Sequence, residues 1–228
     1  MVSGMLGAAL GAWACIGPVA GNLTPNCRIR LDTVWLMSAP GPAAPSDVLR
    51  EQVRRSVAEH VPGDHAERRS IEIVLTELER LPDPFSEHAD PVHVTGSAIV
   101  IGPRGVILLR HKRLGLWLQP GGHIDPGETP WDAAWRETIE ETGLPLEPCR
   151  YEPELVHVDV HPGGRGHTHL DLRYLARVAV VDGVDPDPQP PAGESQEVHW
   201  FDWPAAVARA SDDRLKGLLA RLTPTVGV

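Results

Sequence analysis

An α+β fold, with a mixed sheet between helical layers and a helical hairpin ahead of it, is predicted by three features of the sequence. Apolar residues recur at helical spacing between Ser46 and Leu81. The period changes at Val92 to short β-branched runs. Strands and helices then mix without regular βαβ alternation. The 228 residues are 42% hydrophobic and 23% charged, with mean hydropathy -0.18, which permits a sizeable core and argues against a disordered chain or a membrane bundle.

The elements follow in order. Residues 1–27 contain no Asp, Glu, Lys or Arg. The Ala/Gly-rich run from Met5 to Ile16 is too short to span a bilayer and lacks the basic start of a signal peptide. Residues 1–45 are expected to be an extension and linker outside the folded unit, disordered or not translated, with Met37 as an alternative start. Ser46 is placed as the cap of a first helix carrying Leu49, Val53 and Val57 four residues apart, ending near Pro62 and Gly63. Asp64 and Glu67 form a capping-box-like pair opening a second helix with Ile71, Val74, Leu75 and Leu78 on one stripe. This hairpin, residues 46–82, has no convergent polar cluster and reads as a packing or dimerisation appendage, which leaves a homodimer open.

From Val92, VHVTGSAIVI and GVILLRHKR read as strands around Gly102-Pro103-Arg104-Gly105. LWLQ is a third extended piece leading into a bend at Pro120-Gly121-Gly122. A helix runs from about Glu128 to Thr142 and stops at Gly143. ELVHVDVH, HTHLDLRYLARVAVV and QEVHWF complete the strands, and Pro204 to Leu222 supplies one or two covering helices. The domain so defined spans residues 92–222.

Charge and cysteine content narrow the function. Lys and Arg number 21 against 31 Asp and Glu, a net charge of -10, so sequence-independent binding to a nucleic-acid backbone is disfavoured. A polyanionic substrate would need a bridging cation or a local basic pocket. Cys15, Cys27 and Cys149 are odd in number and form no CxxC, which excludes a disulfide framework and a cysteine-based zinc site. A reducing cytoplasm, with no membrane partner, is the expected setting.

The helix after Gly122 carries the strongest chemical signal. Glu137, Glu140 and Glu141 stand at i, i+3 and i+4, so three carboxylates crowd one face within reach of one cation. Trp131, Ala134, Trp135, Thr138 and Thr142 form a separate stripe suited to packing on the sheet. Outward from the carboxylates, Gly122, Glu128, Arg136-Glu137, Glu140-Glu141, Gly143 and Leu144 fall at the spacing GX5EX7REUXEEXGU, with Thr138 where an aliphatic residue is usual.

This pattern resembles the Nudix box, and the chain is identified by it as a member of the Nudix hydrolase superfamily. The resemblance implies an α/β/α sandwich around a mixed sheet. It also implies a metal-dependent pyrophosphohydrolase that cleaves a small nucleoside diphosphate joined to another moiety by water attack on phosphorus. Hard oxygen donors select Mg²⁺, or Mn²⁺. Glu140 and Glu141 are then the metal carboxylates, and Glu137 is a further ligand or the base. Gly122 turns a backbone carbonyl toward the cation. Arg136 orients Glu137 or pairs with Glu128, which itself sits near the helix start in a dipole-stabilising or supporting role. The superfamily often draws another acidic ligand from a later loop, for which Glu194 is the candidate and Glu197 the second.

Substrate contacts are assigned to Arg110, in the basic run Arg110 to Arg113, to Trp117, to His123 directly after Gly122, and to Arg165 between glycines. His157, His161, His167 and His169 cluster ahead of Asp171. On a strand His167, His169 and Asp171 share a face, which suits a metal, a phosphate contact or a polar pocket wall. Two rivals remain. An isopentenyl-diphosphate isomerase-like enzyme needs a well-placed cysteine, and Cys149 lies in no matching context. A non-catalytic nucleotide sensor commonly loses box carboxylates, which are all present here.

Overall fold

The computed structural model describes residues 30–31, 34–35, 46–148, 153–180, 183–193 and 197–223. Within the segment expected to lie outside the fold, β1 (Arg30–Leu31) and β2 (Val34–Trp35) form a two-residue antiparallel ladder. The rest of that expectation, Cys149 and the candidate ligand Glu194 lie outside the described residues.

The hairpin is α1 (Ser46–Glu59) and α2 (His65–Arg80). The sheet comprises β3 (Val92–Gly102), β4 (Gly105–Arg110), β5 (Trp117–Leu118), β6 (Gly121–His123), β7 (Leu155–Pro162), β8 (Thr168–Arg177) and β9 (Glu197–Phe201). Between β6 and β7 runs α3 (Pro130–Thr142), and α4 (Trp203–Arg209) and α5 (Asp213–Leu222) close the chain. The strand order is β5-β4-β3-β8-β7, with β6 pairing to β3 and β9 to β4. Only β3 and β8 run parallel among these pairs, from Val92 opposite Thr168 to Ile101 opposite Arg177, so the sheet is mixed as expected.

Two apolar clusters cover its two faces. Val94, Ala98 and Val100 of β3 join Trp131 and Ala134 of α3 and the hairpin stripes on one side. Ile99 and Ile101, pointing the other way along the same strand, join Ala206, Leu215, Leu218 and Leu219 of α4 and α5. The result is a helix, sheet, helix sandwich. Among the described residues no helix is long and apolar enough to cross a membrane.

The structure corrects the sequence reading at four places. Ser46 is the first residue of α1 and not its cap. The helix expected from Glu128 begins at Pro130, because Thr129 accepts the Asp132 N–H and proline suits the first helical position. The Gly121-Gly122 bend is a strand, paired at Gly96 with Gly122. The hairpin does not stand apart as an appendage: Leu49, Val53, Val57, Ile71, Val74 and Leu78 are buried in the same cluster as Val94 and Val158.

Glu67 locks that hairpin down. Asp64 caps α2 by accepting the Glu67 N–H at 2.8 Å, while the Glu67 carboxylate is 2% exposed and turns to long-range partners. It meets His60 Nε2 at 2.8 Å, accepts the Gly63 N–H at 2.7 Å and the Val158 N–H of β7 at 3.1 Å, and pairs with Arg221 of α5 at 3.2 Å. Burial opposes its charge, but the hydrogen bonds from His60, Gly63 and Val158 and the nearby His157 outweigh it, taking the pKa from 4.5 to about 2. Burial and the neighbouring Arg173 push His157 down from 6.5 to about 4. Both groups bind protons more readily in the unfolded chain. Their stabilisation is complete above pH about 6.5 and is lost as pH falls, first through His157 near 4 and then through Glu67 near 2. Thermal melts should therefore fall on acidification from pH about 6.5, and Glu67→Gln should cost about 2–3 kcal/mol at neutral pH while flattening the most acidic part of the profile. A melting temperature that is level from neutral pH down to the acid limb would overturn this.

Candidate functional site

The carboxylate ridge lies on α3, held against the sheet by its opposite stripe. Thr138 and Thr142 are fully buried and return their hydroxyls to the carbonyls of Ala134 and Thr138, which explains why Thr138 is accommodated at an aliphatic position. Gly143 ends the helix in the left-handed conformation at φ 68. Gly96 permits the close approach: a Cβ there would overlap the Pro130 carbonyl.

Strand β6 aligns the ridge with the backbone. Gly122 faces α3, and a side chain at that position would overlap the Glu137 carboxylate. The neighbouring Gly121 N–H donates to Glu141 Oε2 at 3.1 Å. Arg136 clasps the acids together: it donates to Glu128 Oε1 at 2.9 Å, Glu128 Oε2 at 3.1 Å, Glu137 Oε1 at 2.8 Å, Glu140 Oε2 at 3.2 Å and the His123 carbonyl at 2.9 Å. Its donors are thus directed to protein oxygens. Burial raises the Glu137 pKa beyond what Arg136 offsets, whereas for Arg136 the pairing with Glu128 and Glu137 outweighs burial and raises its own. The ridge remains short of positive charge. Glu137, Glu140 and Glu141 share the face, with Glu140 half exposed, and among the described residues they do not converge into a single ligand cluster. The donor chemistry and the space at Gly122 fit a hard divalent cation.

The expected substrate contacts disperse. Arg110 pairs with Glu197 at 2.8 Å. Glu197, the second candidate ligand, is thereby engaged on β9 away from α3. Trp117 packs with the α4–α5 cluster, its ring 5.3 Å from Phe201 and 5.4 Å from the Arg209 guanidinium. Arg165 is exposed and adopts φ 60 in the turn before β8. His123 leaves the carboxylates altogether, because side chains alternate along a strand: Gly122 faces Glu137, and His123 turns to the other face with its partner Thr95.

That other face carries a polar seam that the sequence reading only partly anticipated. His93, Thr95 and Ser97 of β3 stand opposite His169, Asp171 and Arg173 of β8, and these opposite His161, Asp159 and His157 of β7. Asp171 is not directed to a metal with His167 and His169. It accepts from Thr95 at 3.2 Å, Ser97 at 3.0 Å and Arg173 at 3.0 Å. Arg173 also reaches Asp159 at 2.8 Å, and Arg214 of α5 closes on the same carboxylate. Burial works against ionised Asp159, but His161, Arg173 and Arg214 hold its pKa below the usual carboxylate range. Sequence reading missed His93, isolated in a Val-His-Val strand. Because Arg173 is the cation between two buried acids, Arg173→Met should cost about 3–5 kcal/mol in urea denaturation. A loss below about 1 kcal/mol would show the seam to be adaptable.

The RNA pyrophosphohydrolase of Erythrobacter litoralis is 39% identical over 82 residues, covering 31% of this chain and 49% of that protein. The isopentenyl-diphosphate Delta-isomerase of Cutibacterium acnes is 30% identical over 131 residues, 52% of this chain and 63% of that protein. The chain thus spans about half to under two thirds of these curated relatives. The Ap4A hydrolase of C. elegans in a binary complex superposes with a TM-score of 0.46 at 24% identity, covering 58% of this chain and 96% of that one. The NUDIX domain model matches residues 91–222, more than half of the 228 residues, and the chain belongs to the Nudix family.

Proposed function

We propose that the chain is a divalent-cation-dependent pyrophosphohydrolase that cleaves a nucleoside diphosphate joined to a second moiety, with water attacking phosphorus. The observation that carries this reading is the acidic ridge of α3 set against the open backbone of Gly122. Mg²⁺ or Mn²⁺ would be held by Glu137, Glu140, Glu141 and the Gly122 carbonyl, with Glu194 as a further ligand. When bound, such cations neutralise charge on the diphosphate oxygens.

The protein's part is placement. Glu128 fixes Arg136 through a two-point contact, and Arg136 holds Glu137 and Glu140 in register one turn apart. Arg136 is a positioning residue, since its donors already meet protein oxygens. The Gly121 N–H aims Glu141 at the same bend. A small nucleotide in a cytoplasmic setting belongs to this proposal, as does a contact from the exposed Arg165.

Glu141→Gln should lower kcat for diphosphate hydrolysis by roughly 10²- to 10³-fold with the fold intact. It is read by product release across nucleotide sugars, dinucleoside polyphosphates and nucleoside triphosphates with Mg²⁺ or Mn²⁺. Retention of normal turnover would remove the ridge from the chemistry. Isomerisation of isopentenyl diphosphate, added as a further substrate, without phosphate release would favour the isomerase reading, and binding without turnover the sensor.

Gly122→Ala isolates the geometry from the charge. Its methyl group would displace the Glu137 carboxylate, so activity should drop by about 10-fold or more while every carboxylate remains. An unchanged rate would show that Glu137 works from another position.

A further inference from the structure

We propose that His93, His123, His167 and His169 form a second metal site, built for a divalent transition ion of the zinc class and separate from the carboxylate ridge. One ring nitrogen from each of the four lies within 4.8 Å of every other. The rings are packed edge to face or tilted: His93 is 5.1 Å from His123, 5.0 Å from His167 and 5.3 Å from His169, and His123 is 5.2 Å from His169. Tetrahedral bonds of about 2.0–2.1 Å require nitrogens about 3.3 Å apart, so shifts on the order of 1 Å close the shell.

The orientation of two rings favours a ligand over a simple stack. His93 is fully buried, its Nδ1 lies 3.1 Å from the Asp90 carbonyl, and its Nε2 has no partner. His123 repeats the arrangement: Nδ1 is 3.3 Å from Glu87 Oε2, and Nε2 is buried without a partner. A ring whose Nδ1–H is held by an oxygen offers a lone pair at Nε2, which is how metal-bound imidazoles are oriented. An unsatisfied buried polar atom is costly and calls for an explanation. Two of them on rings of one cluster of four imidazoles are accounted for by a cation.

The scaffold makes room for the other two. Gly163 opens space beside His169, since a Cβ there would overlap that ring. His167 closes the turn through its backbone, accepting the Gly163 N–H at 2.8 Å and donating to the Gly164 carbonyl at 3.2 Å. Imidazole donors select zinc, nickel, copper or cobalt over magnesium. Four protein ligands leave no open position, which makes the site structural: it ties β3, β6 and β8 to the turn behind the Gly122 backbone.

The test is metal binding by the full chain, independent of any hydrolysis. Metal-stripped protein is titrated with Co²⁺ and with Zn²⁺ in excess Mg²⁺, reading the visible absorption of tetrahedral cobalt and the bound equivalents. One equivalent should bind and persist in the Glu137→Gln, Glu140→Gln and Glu141→Gln triple variant. His93→Ala and His167→Ala should each abolish the cobalt band. Glu87→Gln should weaken affinity by about 10- to 100-fold. If His93→Ala fails to fold, His167→Ala, on the turn, decides alone. No binding by the wild-type chain, or binding lost in the glutamate variant and kept in the histidine variants, overturns the proposal, and neither result bears on whether the ridge hydrolyses diphosphates.

Discussion

Three residues of β6, paired against β3, decide where both sets of candidate ligands lie. The pairing of Thr95, Gly96 and Ser97 with His123, Gly122 and Gly121 fixes which way each residue points, because a strand alternates faces at every residue. Gly122 is consigned to α3 and the glutamates. His123 is consigned to the seam and the histidines. A slip of one residue would exchange them, placing an imidazole where the Glu137 carboxylate stands and leaving the histidine cluster one member short. The glycine at 96 enforces the register from the other side, since only a residue without a side chain lets the first turn of α3 settle there.

The ridge itself is a problem in electrostatics that the fold solves halfway. Three glutamates within one helical turn repel one another, and Glu128 adds a fourth charge at the helix start. Arg136 supplies one positive charge against them, and its raised pKa shows how firmly the neighbours hold its proton. The raised pKa of Glu137 shows that this compensation is incomplete where burial is deepest. Arginine suits the task because its planar fork engages Glu128 at two points while still reaching Glu137 and Glu140. A lysine would offer a single point charge and leave the carboxylates free to splay.

Legibility in the sequence followed the range of the interactions. The α3 face and its buried stripe were readable because both depend on positions within four residues of one another. The capping pair Asp64 and Glu67 was readable for the same reason. What Glu67 does with its carboxylate was not, because its partners Val158 and Arg221 are far along the chain and meet it only when α2 reaches β7 and α5. Gly-Gly-His has no intrinsic preference for extended structure, so the sequence alone suggests a bend at β6; pairing with β3 makes it a strand. His93 drew no attention in a Val-His-Val context, and the parallel register of β3 with β8 alone brings it opposite His169. The signal available in advance was the spacing of His167 and His169 together with a histidine next to the box glycine.

The separation of the two donor sets across one sheet has a chemical consequence. Carboxylates on α3 are partly exposed and offer hard oxygen, the donor type suited to a cation that keeps much of its hydration. On the other face His93 and His123 are oriented by the Asp90 carbonyl and Glu87, and the imidazoles offer borderline nitrogen. An ion suited to one set is poorly served by the other. Since the sheet backbone lies between them, an ion on the histidine face could not draw on a ridge glutamate, and an ion on the ridge could not draw on an imidazole. Affinity alone would let the transition metal win at either place. The alternation of Gly122 and His123 therefore decides which donor set an ion at either place would meet.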